Sequence, residues 1–260
     1  MTEDTVFIEW SYTPDSYFED EFETNLTLGN YQYKMAIKKG KVEVHIDLLA
    51  YNQESNIHKR LYEKINNIFK ARLLINSESF KIYRGSIVHI YYANGTKGVK
   101  ILTEPAKAYA EGSKPLINSV VKDDKGNVIR DSRKERIDNN KGLIDLVSRC
   151  ESKDSFAVSL LDCLDRAVNN EKHELVHLYE IREALVNKFG NQQSVRQSLG
   201  ISRNDWSRLG ELANDLPLMQ GRHVGKKIEE LRDATSAELN EARQLAQRFV
   251  KAYLNYLDAD

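Results

Sequence analysis

At 260 residues, with 41 % hydrophobic and 30 % charged positions, the chain is long enough for two modules and apolar enough to bury a real core. Its net charge of -1 excludes a strongly basic nucleic-acid module of the kind that neutralises many phosphates, and its apolar content excludes a largely disordered chain. No apolar run approaches the roughly 18 residues of a membrane span, and MTEDTVFIEW is acidic where a signal peptide is basic, so the expected setting is the cytoplasm of a prokaryote with no membrane partner.

Charge is unevenly placed. Residues 1–121 balance 15 basic against 15 acidic side chains, 122–141 hold 7 against 5, and 142–260 hold 16 against 19. The first 33 residues carry eight acids and no Lys or Arg, which reads as a solvated acidic edge, with attraction of a basic partner as the alternative. The two cysteines, Cys150 and Cys163, are too few for a disulfide framework and read as reduced, buried residues.

In chain order, Thr5 to Tyr12 and Tyr31 to Ile37 alternate apolar with polar or aromatic residues. Lys39-Gly40-Lys41 then joins the second of these to Val42 to Leu48 as a hairpin. Asn56 to Leu74 repeats Ile57, Leu61, Ile65, Ile68 and Leu73 near helical spacing. Phe80 to Tyr92, Asn94-Gly95 and Gly98 to Leu102 form a second hairpin, because Asn-Gly enters the positive-φ region that a tight turn needs. The order β-β-β-α-β-β predicts an α+β fold class, with an antiparallel sheet and one helix over 1–121.

The stretch 122–141, KDDKGNVIRDSRKERIDNNK, is nearly all charged or turn-forming and is expected as a charged linker or hairpin. Beyond it, 142–260 reads as an all-α helical bundle. Helices are expected over Lys141 to Cys150, Asp154 to Asn169 and Glu171 to Phe189, with Gly190 as a C-cap. Thr235-Ser236-Ala237-Glu238 has the capping-box form, and Leu239, Ala242, Leu245, Phe249, Tyr253 and Tyr256 make one stripe of a last helix.

Three motifs carry candidate chemistry. His173-Glu174-Leu175-Val176-His177 places two histidines four apart, where they share a helix face and can hold Zn²⁺ with the Glu as general base. The spacing resembles that of the zincin metalloproteases, and Glu211 to Asp215 is similar to the third-ligand pattern of one zincin branch. That resemblance implies a zinc-dependent hydrolase with His173, His177 and Glu211 as ligands. The helical wheel instead puts His173 and His177 opposite a buried face of Leu175, Leu178, Leu185, Val186 and Phe189, so both are expected to face solvent and no cofactor is expected.

The second motif, Asn191 to Leu212, resembles the helix-turn-helix of bacterial DNA-binding proteins. Val195, Leu199, Ile201, Trp206 and Leu209 fall at packing positions and Gly200 at the turn. The resemblance implies contacts to a nucleic acid through Ser202, Arg203, Asn204, Ser207 and Arg208. The third, Met219 to Lys227, sets Arg222 beside His223 and is followed by Lys226 and Lys227. Arg and His together suit phosphodiester cleavage, His as acid or base and Arg stabilising phosphorane charge. The helical region is loosely similar to HEPN-type ribonucleases, which pair Arg and His as R-x4-6-H. Arg222/His223 are adjacent, whereas Arg166/His173 have that spacing. The leading expectation is an adaptor or regulator whose helical part recognises a nucleic acid or protein partner, binding through Arg203, Asn204, Ser207, Arg208, Lys226 and Lys227. A ribonuclease using Arg222/His223 or Arg166/His173 and a zinc hydrolase are the alternatives.

Overall fold

The computed structural model describes residues 4–29, 31–102, 119–122, 125, 127–222 and 231–259, and these form an α+β protein with an antiparallel sheet followed by a helical region. The chain divides into two compact units, residues 1–66 with 80–141 and residues 67–79 with 142–260.

In the first unit, strands β1 (Thr5–Thr13), β2 (Phe22–Leu28), β3 (Tyr31–Lys38), β4 (Lys41–Asp47), β5 (Lys81–Tyr91) and β6 (Lys97–Leu102) form a six-stranded antiparallel sheet in the order β2-β3-β4-β1-β5-β6. Period-two alternation puts Val6, Ile8 and Trp10 on one face of β1, where they pair with Ile46, Val44 and Val42 of β4, all buried. A short helix, α1 (Leu48–Gln53), starts where Asp47 accepts hydrogen bonds from the Leu49 and Ala50 amides. Helix α2 (Ile57–Ala71) buries Ile57, Leu61 and Ile65. Its His58 ring lies 5.0 Å from the Trp10 ring and bonds the Ser86 hydroxyl, while the Tyr62 hydroxyl donates to the Ile82 carbonyl at 3.1 Å. Both expected hairpins turn on glycines at positive φ, Gly40 at 71° and Gly95 at 87°.

Two elements differ from expectation. The sequence reading omits β2, because Phe22 and Leu26, its buried residues, stand four apart with acids and polar groups around them, a spacing that reads as neither helix nor strand. At 122–141, expected as a linker or hairpin, β7 (Val120–Lys122) pairs antiparallel with β8 (Val128–Asp131), but helix α3 (Ser132–Lys153) follows at once, nine residues before the expected Lys141. A helix displaces linker there because Asp131 accepts from the Arg133 and Lys134 amides, capping the first turn. Its basic residues also find acids of the N-terminal segment: Arg133 meets Asp20 at 2.5 Å and Arg136 meets Glu19 at 2.6 Å. Two acids of the N-terminal segment are thereby paired within one unit.

The second unit is built on α4 (Ser155–Asn169), α5 (Glu174–Phe189), α6 (Gln192–Leu199), α7 (Arg203–Gly210) and α8 (Ser236–Ala259), with residues Asn67 to Ser79 packed among them. The core holds Leu160, Leu161, Leu164, Leu175, Leu178 and Ile181 against Leu245, Phe249 and Tyr253. Gly190 ends α5 at φ 86°, as a C-cap glycine does. The capping box forms as written: Thr235 Oγ1 accepts from the Glu238 amide, and Glu238 accepts from the Thr235 amide. Among the described residues no helix is long and apolar enough to cross a membrane.

Candidate functional site

The HELVH motif spans a helix boundary. His173 is exposed and sits at the N-cap of α5 after a short 3-10 turn, so the two histidines do not share one continuous helix. Glu174 is 2 % exposed and paired with Arg243 of α8, whose Nη2 donates at 2.7 Å. The carboxylate that would serve as general base is thus held by a structural ion pair. His177, expected to face solvent, is largely covered, its side chain 16 % exposed, because α5 packs against α4, α6 and α8 and little of its circumference is left free. Among the described residues no cluster of three His, Cys, Asp or Glu is placed to hold a metal ion.

The Arg166/His173 spacing does not describe the contact that forms. Arg166 donates to Glu180 at 2.7 Å and to the Cys163 sulfur at 3.2 Å, and the same Glu180 oxygen lies 3.2 Å from His177 Nδ1. Burial opposes ionisation of Glu180, yet the hydrogen bonds from His177 and Arg166 outweigh it and hold its pKa below the usual carboxylate value. The cluster joins α4 to α5.

The helix pair follows the sequence closely. Gly200 takes the left-handed conformation at φ 64°, Ser202 caps α7 by accepting from the Asp205 amide, and Val195, Leu199, Trp206 and Leu209 are buried. Arg203, Asn204 and Ser207 are exposed. Arg208 is bound by two carboxylates, donating to Glu241 at 2.8 and 2.9 Å and to Glu211 at 2.9 Å, and these hydrogen bonds raise its pKa further above the usual guanidinium value. Asp205 pairs with Arg248 at 3.3 Å. His223, Lys226 and Lys227 lie outside the described residues.

What the fold brings together is a set of planar groups beside α5. Tyr179, Arg182, Glu183, Asn187, Gln192 and Trp206 line an open groove of about 680 Å³. Above the buried Phe249, the Trp206 ring stacks at 5.4 Å; the Arg182 guanidinium lies 4.6 Å from the Trp206 centroid and 5.2 Å from that of Tyr179. Arg222 completes the series, 5.3 Å from the Tyr179 centroid on an exposed side chain that also pairs with Glu183. Cations over aromatic faces gain from the ring quadrupole, the more so where water is excluded.

Arg182 differs from every neighbouring arginine. Among the described residues it has no carboxylate within salt-bridge distance, its Nε is buried without a hydrogen-bond partner, and burial pulls its pKa below the usual guanidinium value. The backbone makes room for it at Gly210: a Cβ there would fall 1.8 Å from Arg182 Nη1. A π-helical turn, Glu211–Asp215, follows that glycine, and its Ala213 carbonyl accepts from the Arg222 amide at 2.9 Å, which fixes the start of the Arg222 segment beside α5. Gly210→Ala is expected to push the guanidinium off the rings. The Trp206 fluorescence maximum should shift while the melting temperature falls by no more than about 4 °C, corresponding to roughly 1 kcal/mol; an unchanged spectrum would show that Arg182 does not rest there.

Of the sequence candidates, Arg222 belongs to this site. Tyr179, Arg182 and Glu183 were not anticipated, since YEIRE reads as an ordinary amphipathic turn; the only local hint is the three-residue spacing of Tyr179 and Arg182. Comparison with protein-family models, with curated proteins and with solved structures finds no match for this chain.

Proposed function

We propose that the protein is a recognition factor, an adaptor or regulator, whose helical unit binds nucleic acid along the α5 to α7 face. The observation that supports this reading is Arg182, a partly buried cation that, among the described residues, forms no salt bridge and lies between two rings lining an open groove. A phosphate reaching the guanidinium would gain a charge-assisted hydrogen bond. Arg203, Asn204 and Ser207 are exposed on the same helix as Trp206 and add polar contacts beside it. With so few cations, affinity should be modest and fall with salt.

The test is fluorescence anisotropy with a labelled oligonucleotide of about 15 residues. Wild type should bind with a Kd that rises as salt rises, and Arg182→Ala should weaken binding about tenfold without altering the melting temperature by more than a few degrees. Binding indifferent to Arg182 would remove the groove from the function. Cleavage of the RNA by wild type, abolished at Arg222, would replace recognition by ribonuclease chemistry.

A further inference from the structure

Resting on that reading, we infer that the groove takes unpaired nucleotides, reading a single strand by stacking its bases onto the series of planar groups that ends at Arg222. The argument begins with geometry. Phe249 stacks on Trp206 at 5.4 Å, and from Trp206 onward guanidinium and ring alternate through Arg182, Tyr179 and Arg222 at 4.6, 5.2 and 5.3 Å, so the series runs from a fully buried phenyl group to an exposed guanidinium. A base is the natural next member, because every base has a π-face and stacks on a guanidinium plane as well as on a ring. The groove volume, about 680 Å³, lies in the ~300–1,000 Å³ range of sites that enclose a small organic group. Asn187 and Gln192 stand on its wall with amide donors and acceptors suited to base edges.

Duplex recognition fits the same surface poorly. A major-groove helix needs free cations for phosphates and free side chains for base edges. On α7, Arg208 is bound to Glu241 and Glu211, and Asp205, Glu211 and Glu241 add carboxylates beside that helix. Paired bases would also keep their faces hidden from Arg222. Ribose and deoxyribose strands share the stacking chemistry, so both are admitted as ligands and the experiment separates them.

Wild type is titrated with four labelled 15-residue probes: oligo(U), oligo(dT), a deoxy strand of the same length with abasic residues throughout, and a mixed-sequence DNA duplex. The base-bearing strands should bind about tenfold more tightly than the abasic strand and the duplex, since stacking is worth roughly 1–3 kcal/mol per base. A difference between oligo(U) and oligo(dT) assigns the natural ligand as RNA or DNA. Arg222→Lys keeps the charge on an exposed side chain and removes the plane, so it should erase the preference for bases over abasic sites while the salt dependence persists. Equal binding of the abasic strand, or of the duplex, overturns the stacking inference and leaves nucleic-acid recognition standing. Failure of wild type to bind any of the four overturns the recognition reading itself.

Discussion

Arg243→Met should destabilise the helical unit by about 3–5 kcal/mol, the usual consequence of leaving a buried charge without its partner. Glu174 is 2 % exposed and receives two hydrogen bonds from the Arg243 guanidinium, one of them at 2.7 Å, so removing the arginine strands a carboxylate between α5 and α8. Replacing both residues, Glu174→Leu with Arg243→Met, should recover most of the stability, because a well-packed apolar pair avoids the desolvation of two ions. Urea denaturation of the single and double variants measures all of this in one cycle. A single variant within 1 kcal/mol of wild type would mean that the pair is solvated and contributes little.

The second large effect concerns Asp154, the N-cap of α4. Its carboxylate accepts from the Phe156 amide at 2.9 Å, from Lys188 of α5 at 2.7 Å and from the Tyr253 hydroxyl of α8 at 2.7 Å, tying three helices together. The hydrogen bonds from Lys188 and then Tyr253 lower its pKa from 3.8 to about 2, while the Tyr253 hydroxyl is pushed up by burial and by the same carboxylate. A depressed carboxyl pKa stabilises the fold at pH values above the unfolded one and loses that contribution as pH falls through the folded one. About 2 kcal/mol should thus disappear between pH 4 and pH 2 in wild type. Asp154→Ala should lack about that much at pH 7 and show a flatter stability profile over this window. Parallel profiles for the two proteins would place the acid-labile contribution elsewhere.

Features set by neighbours in sequence were the legible ones. Gly200 and the Thr235/Glu238 capping box depend on contacts within one turn, and each formed where its residue type predicted. The Asn94-Gly95 hairpin is of the same kind. What the sequence hid depends on partners far along the chain. Arg208 read as a free cation because Glu241, 33 residues later, cannot be matched to it by any local pattern. Helix α5 showed an apolar stripe, but it is enclosed by several helices, so Glu174 and most of His177 went inside with the leucines. The planar series beside Tyr179 draws on α5, α7, α8 and the Arg222 segment, and a guanidinium over a ring leaves no periodic trace to read.

Residues 67–79 carry a consequence for the order in which the molecule can be completed. Lys70 meets Asp162 at 2.5 Å, and Gln247 donates to the Leu73 carbonyl at 2.8 Å across a sequence separation of 174. These contacts close long loops of the helical unit, and α8, which makes the second of them, is synthesised well after the segment it covers. During synthesis the early segment must wait, its Phe69, Leu73 and Leu74 uncovered, until α8 arrives. A fragment beginning at residue 142 never receives that segment at all, and should collapse without reaching the native packing around α8.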